Sequence, residues 1–168
     1  YVHAAPVLRN VLVRTVAFFV FGSAGWALLP LVARRELGLG PAGYGVMLAC
    51  IGLGAIAGAI LLPRLRQRLN ADRLMVAASL TFAITMLALA FVRHFWLLNL
   101  FEFFTGFAWI AVLSTLNLGA QRSAARWVKA RALAVYLTVF FGSMTIGSAI
   151  WGQIASRFGT PTALVVAT

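Results

Sequence analysis

Long uncharged runs separated by short basic clusters dominate the chain. A helix needs about 20 apolar residues, each adding about 1.5 Å, to cross the roughly 30 Å hydrocarbon core of a bilayer. Five runs come close to or exceed that length, at residues 15–33, 37–63, 74–92, 95–118 and 132–156. A sixth begins after residues 159–161 and stops at Thr168. The period-2 alternation of a membrane barrel is absent, so the pattern predicts an all-α, polytopic bundle of five full spans and the start of a sixth.

Turn signals mark the limits of the second run. Glycine and proline cluster from Gly38 to Gly43 at its start, and we expect its helix to end at Pro63. The chain itself opens with Tyr1 and stops at Thr168 inside an apolar stretch, so we expect it to be a fragment of a longer protein.

The composition excludes a soluble domain of this size. The 168 residues are 62% hydrophobic and 10% charged, with a mean hydropathy of +0.96, whereas soluble domains are about 45–50% apolar and about 25% charged. The net charge of +11 would suit nucleic acid, but the basic residues lie between uncharged runs, which favours a lipid bilayer and no nucleic acid. The single cysteine, Cys50, excludes an internal disulfide and a cysteine metal cluster. Since no cofactor motif is visible either, we expect no cofactor and no metal.

The basic residues divide unequally between the two ends of the predicted bundle. One end collects ten: Arg9, Arg14, Arg64, Arg66, Arg68, Arg73, Arg122, Arg126, Lys129 and Arg131. The other collects four: Arg34, Arg35, Arg93 and Arg157. Because basic loops stay in the cytoplasm, the loops after the second and fourth runs are predicted to be cytoplasmic. Arg14 lies just inside the first span, and we expect it to extend to the interface.

Two runs carry polar and aromatic side chains at helical spacing. In the fourth run one face begins at Asn99 and Glu102 and continues to Trp109 and Asn117; in the first run the face contains Trp26, with Ser23 beside it. These six residues are the candidates for binding a substrate or a proton. The alternative is that their rings pack helices together or anchor them at the interface.

Glu102 is the only acidic residue inside a predicted span, since Glu36 and Asp72 are expected in loops. It lies about 10 Å along the helix from the outer end of the fourth run. An intramembrane carboxylate can take up a proton on one side and release it on the other. It can also simply hydrogen-bond Asn99 or a neighbouring helix.

Small and aromatic residues predict helix contacts and interfaces. Gly54 and Gly58 in the second run form a contact face, because helices in lipid gain packing energy from close backbone approach. Trp96 and Trp151 lie near run ends, where tryptophan is typical of the membrane interface.

Four segments resemble the C-terminal half of the major facilitator superfamily, and the resemblance spans nearly the whole chain. They are residues 40–45 (GPAGYG), 52–58 (GLGAIAG), 62–66 (LPRLR) and 126–136 (RWVKARALAVY). The branch most similar is the one that contains the enterobactin exporter and the transmembrane secretion effectors. Two positions depart from the family pattern: Leu62 stands where the loop motif usually has Asp, and Lys129-Ala130-Arg131 replaces Arg-Gly-Arg.

The resemblance implies a twelve-helix transporter whose halves rock about a central site. Residues 1–168 would be helices seven to twelve, incomplete at the C-terminal end, and the N-terminal half would be the missing partner. The first and fourth runs would line the cavity. The implied protein is a multi-pass transporter of the bacterial cytoplasmic (inner) membrane, exporting small amphipathic molecules such as drugs or siderophores in exchange for protons. The basic residues Arg64, Arg66, Arg126, Lys129 and Arg131 would lie in its cytoplasmic loops.

Two other classes stay open. A non-transporting membrane scaffold or assembly subunit would have a sealed apolar bundle, whereas an exporter needs an accessible polar stripe. A membrane-embedded enzyme is less favoured, because no paired carboxylates, Ser/His/Asp arrangement or phosphate-cradling loop is visible.

Overall fold

The computed structural model describes residues 6–123 and 129–168, and within them it is helical with no strand. The six α-helices are α1 (Pro6–Leu31), α2 (Pro41–Arg68), α3 (Ala71–Phe91), α4 (Phe95–Arg122), α5 (Lys129–Phe158) and α6 (Thr160–Val166). A π turn, Val32–Glu36, extends α1. Five of these helical segments are long and apolar enough to cross a membrane, which confirms the predicted all-α polytopic bundle. Arg126, one of the predicted loop charges, lies outside the described residues.

The second helix does not end at Pro63. It continues for more than a turn to Arg68. A proline removes one backbone donor, a loss that membrane helices tolerate where neighbouring helices and side chains compensate. Here Arg66 Nη2 donates to Ser114 Oγ on α4 at 2.9 Å, which ties the last turn of α2 to its neighbour.

Helix α4 occupies the centre of the bundle, in contact with α1, α2, α3 and α5. Its contact with α2 is made through glycines, as predicted for Gly54 and Gly58. A Cβ on Gly54 would overlap the Phe103 carbonyl oxygen, and one on Gly106 would overlap the Ile51 carbonyl oxygen. The two backbones therefore touch directly.

The other extensive contact joins α1 to α5. Gly147 lies against the backbone of Val20 and the hydroxyl of Ser23. Trp151 is 5% exposed, and its Nε1 donates to the Val20 carbonyl oxygen at 2.7 Å. The prediction that Trp151 is an interface anchor was therefore wrong, whereas Trp96 is 72% exposed near the start of α4, where an anchor would lie.

The outer surface of the bundle is apolar, with large side chains such as Leu53, Ile60, Phe91 and Phe141 more than half exposed. Such a surface would be a liability in water but suits contact with lipid. Two clusters of buried apolar residues fill the interior and share Phe18 and Trp109 at their margins.

Candidate functional site

Aromatic rings from three helices meet at the middle of the bundle. Trp109 of α4 is surrounded by Phe19 at 5.1 Å, Trp26 at 5.3 Å, Phe82 at 5.8 Å and Phe18 at 6.2 Å, measured between ring centroids. These separations are those of favourable aromatic pairs. The two faces predicted to line a cavity, on α1 and α4, thus pack against each other through their rings.

Glu102 lies beside this cluster, with 2% of the residue exposed. It borders a small void of about 10 Å³, enough for about one water molecule. The void is lined from α1 by Gly25, Trp26 and Leu29, from α2 by Ile51, from α3 by Phe82, Thr85, Met86 and Leu89, and from α4 by Glu102 and Thr105. The carboxyl group is therefore enclosed by four helices.

Two buried polar atoms, one on α1 and one on α4, have no hydrogen-bond partner in the described part of the chain. Trp26 Nε1, whose side chain lines the void, has no acceptor, and Asn99 Oδ1 has no donor. Asn99 Nδ2 instead donates to the Phe95 carbonyl oxygen at 2.9 Å, so the suggested hydrogen bond between Asn99 and Glu102 is not formed. Trp26 and Glu102 line the same void, which is large enough for about one water molecule to hydrogen-bond these polar groups.

The other described acidic residues are held by arginines near the bundle ends. Asp72, in the first turn of α3 rather than in a loop, pairs with Arg14 at 2.5 Å. Glu36, in the π turn rather than in a loop, pairs with Arg93 at 3.3 Å. The Arg14 side chain is about half exposed and reaches the first turn of α3, and its extension to the membrane interface stays a prediction. No ion pair reaches Glu102 within residues 6–123 and 129–168.

The remaining predicted residues lie elsewhere. Ser23 is fully buried against Gly147, and its hydroxyl donates to the Val20 carbonyl oxygen at 2.8 Å. Asn117 lies four turns beyond Glu102 along α4 and accepts from Gln121 at 2.6 Å. The structure therefore brings Glu102 and Trp26 to one void and Trp109 to the adjoining ring cluster, but not Ser23 or Asn117.

Helix α3 contributes residues that the sequence analysis missed. Thr85 and Phe82 line the void from a run that carried no predicted site. The available signal was weak: Thr85 is one of a few hydroxyl residues in an otherwise apolar run.

A larger groove of about 420 Å³ lies between α1 and α3, reaching from Arg14 to Thr168. Phe82 and Met86 line both this groove and the Glu102 void. These two side chains separate the buried carboxyl group from the groove.

Three of the basic residues predicted to lie in cytoplasmic loops are exposed at helix ends. Arg64 is exposed near the end of α2, and Lys129 and Arg131 are exposed in the first turn of α5. Arg66 is half-buried because it bonds Ser114. This arrangement agrees with a polar boundary at that end of the bundle.

A bundle of five membrane-length helices that encloses the Glu102 carboxyl group has the architecture of an integral membrane protein. A comparison with protein families identifies the class of membrane protein. The profile of the transmembrane secretion effector family matches residues 1–168, and the chain belongs to that family, a branch of the major facilitator superfamily. Searches of curated proteins and of solved structures gave no match.

Proposed function

We propose that the protein containing this chain is a proton-coupled exporter of small amphipathic molecules, and that Glu102 is the group that takes up and releases the proton. The observation that carries the proposal is the contrast between the acids. Asp72 and Glu36 have arginine partners near the bundle ends, whereas Glu102 is buried among apolar and hydroxyl side chains without one.

The energetics support a group that changes its protonation state during transport. A carboxylate at the centre of a bilayer costs roughly 2.5–3.5 kcal/mol on insertion scales. The enclosed state around Glu102 therefore suits a protonated carboxyl group, and an ionised one needs water or a cationic substrate. Movement of Phe82 or Met86 would join the void to the α1–α3 groove and admit either.

The tight packing of α1 against α4 leaves no substrate-sized space between their predicted faces. A sealed bundle is also what a membrane scaffold would have. Membership of a transporter family favours the exporter, in which separation of these faces would open the cavity.

Transport in liposomes tests the proposal. The full-length protein and its E102Q variant are reconstituted, and efflux of ethidium is followed with and without an imposed pH gradient. We expect the wild type to respond to the gradient and E102Q, which keeps the shape but cannot titrate, to lose the response. The matched control E36Q removes a partly exposed carboxylate and should keep it. An E102Q protein that follows the gradient as the wild type does would refute the role of Glu102, and a wild type that moves no ethidium would count against an amphipathic substrate.

A further inference from the structure

The end of α2 carries two arginines, Arg64 and Arg68, that bind no other side chain within residues 6–123 and 129–168. Arg66 is engaged with Ser114. Arg64 and Arg68 are exposed and have neither an ion pair nor a side-chain hydrogen bond to the described residues. The nearest acid along the chain, Asp72, is already paired with Arg14. This corner of the bundle, residues 61–69 at the end of α2, therefore carries uncompensated positive charge.

Apolar side chains adjoin these arginines. A surface depression at the end of α2 is lined by Arg64, Gln67 and Arg68 together with Leu61, Leu65 and Leu69. Leu61 is 40% exposed, and Ile60 beside it is 64% exposed. The charged groups therefore lie at the end of the helix, and the exposed apolar surface begins within two turns of them.

The neighbouring helix leaves this corner open. Only Leu69 and Asn70 connect α2 to α3, yet the two helices scarcely touch each other, because each packs mainly on α4. Arg68 at the end of α2 and Arg73 in the first turn of α3 are both exposed, so basic side chains lie on both sides of this turn.

We propose that this corner binds an anionic phospholipid, with Arg64 and Arg68 on the headgroup phosphate and an acyl chain along Leu61 and Leu65. The planar guanidinium group matches phosphate oxygens in a two-point geometry that lysine cannot make. Long basic side chains extend from an apolar helix surface to the headgroup level, where each contributes to the attraction of anionic lipid. The site is independent of Glu102, so it stands whether or not transport is coupled to protons.

A competition between two lipids tests the site. The purified full-length protein is equilibrated with phosphatidylglycerol and phosphatidylcholine of equal acyl length, and bound lipid is counted by native mass spectrometry. We expect R64Q/R68Q to lose its preference for phosphatidylglycerol by on the order of 10- to 30-fold, since each arginine at a membrane surface is worth about a fivefold change. The control R34Q/R35Q removes the same charge from exposed arginines in the π turn and should keep the preference.

Three results would overturn the proposal. They are an unchanged preference in R64Q/R68Q, equal losses in both double variants, and displacement of the lipid by glycerol phosphate, which has the anion but no acyl chain. If the double variant does not elute as a single species, the single variants R64Q and R68Q replace it, and each should then show about a fivefold loss.

Discussion

Replacing Gly54 by alanine should separate α2 from α4. A Cβ at that position would lie 2.7 Å from the Phe103 carbonyl carbon and would overlap the carbonyl oxygen. Two carbon atoms in ordinary van der Waals contact are at least about 3.4 Å apart, so the helices must move apart by roughly 0.7 Å or more. Neighbouring side-chain pairs across the interface would then be separated by a gap of that size, which removes a quarter to a half of the attraction of each dispersion contact. The obstacle is backbone, which no rotamer change can relieve.

The expected cost follows from that clash. Overpacking of a close-packed interior costs about 1–3 kcal/mol, from which alanine recovers at most about 1 kcal/mol of helix propensity. We therefore expect G54A to be less stable than the wild type by up to about 3 kcal/mol. Gly52 is the matched control, since it lies two residues away on the same helix with nothing within 4 Å of its Cβ position. G52A should be neutral or slightly more stable.

Thermal unfolding of the detergent-solubilised full-length protein, followed by fluorescence-detected size-exclusion chromatography, measures the difference. The midpoint of G54A should fall by several degrees below that of G52A. Equal midpoints for the two variants would refute the direct backbone contact between α2 and α4.

Two further predictions concern α5 and the topology. W151F keeps an aromatic ring but removes the Nε1 hydrogen bond to Val20 together with the second ring of the buried indole. It should therefore lower stability by at least about 1 kcal/mol in the same thermal assay, and no change would refute the buried contact of Trp151 with α1. The topology is tested by cysteine labelling in intact cells, in a background where Cys50 is replaced by alanine. A cysteine in place of Gln67 should not react with a membrane-impermeant maleimide, whereas one in place of His94, at the opposite end of the bundle, should react. The reverse labelling pattern would invert the orientation predicted from the basic residues.

The fold class was readable from sequence because its cause is local. A run of about 20 apolar residues must be helical in lipid, since every backbone polar group then bonds within the segment. The helix limits were less readable. Arg66 stabilises the end of α2 through Ser114, 48 residues away, so no pattern around Pro63 indicated that the helix would continue.

The arrangement of the candidate residues could be predicted in part for the same reason. Helical spacing placed Glu102 and Trp109 correctly on one stretch of α4, because periodicity is a property of a single helix. Which helices enclose that stretch depends on the packing of the whole bundle. The sequence therefore could not show that Thr85 of α3 lines the void. Nor could it show that Ser23 contacts Gly147 on α5.

The two tryptophans near run ends illustrate the limit most clearly. Trp96 and Trp151 both lie near the end of an apolar run, yet one is exposed and the other is buried. The difference lies in Gly147, one turn before Trp151 on α5, which has no side chain and lets α5 approach the backbone of α1 around Val20. At that distance the indole nitrogen donates a hydrogen bond to the Val20 carbonyl oxygen. The Trp151 side chain is therefore held against α1 and does not lie at the membrane interface. In α5 the glycine one turn away, and not the distance from the end of the run, thus accounts for the burial of Trp151.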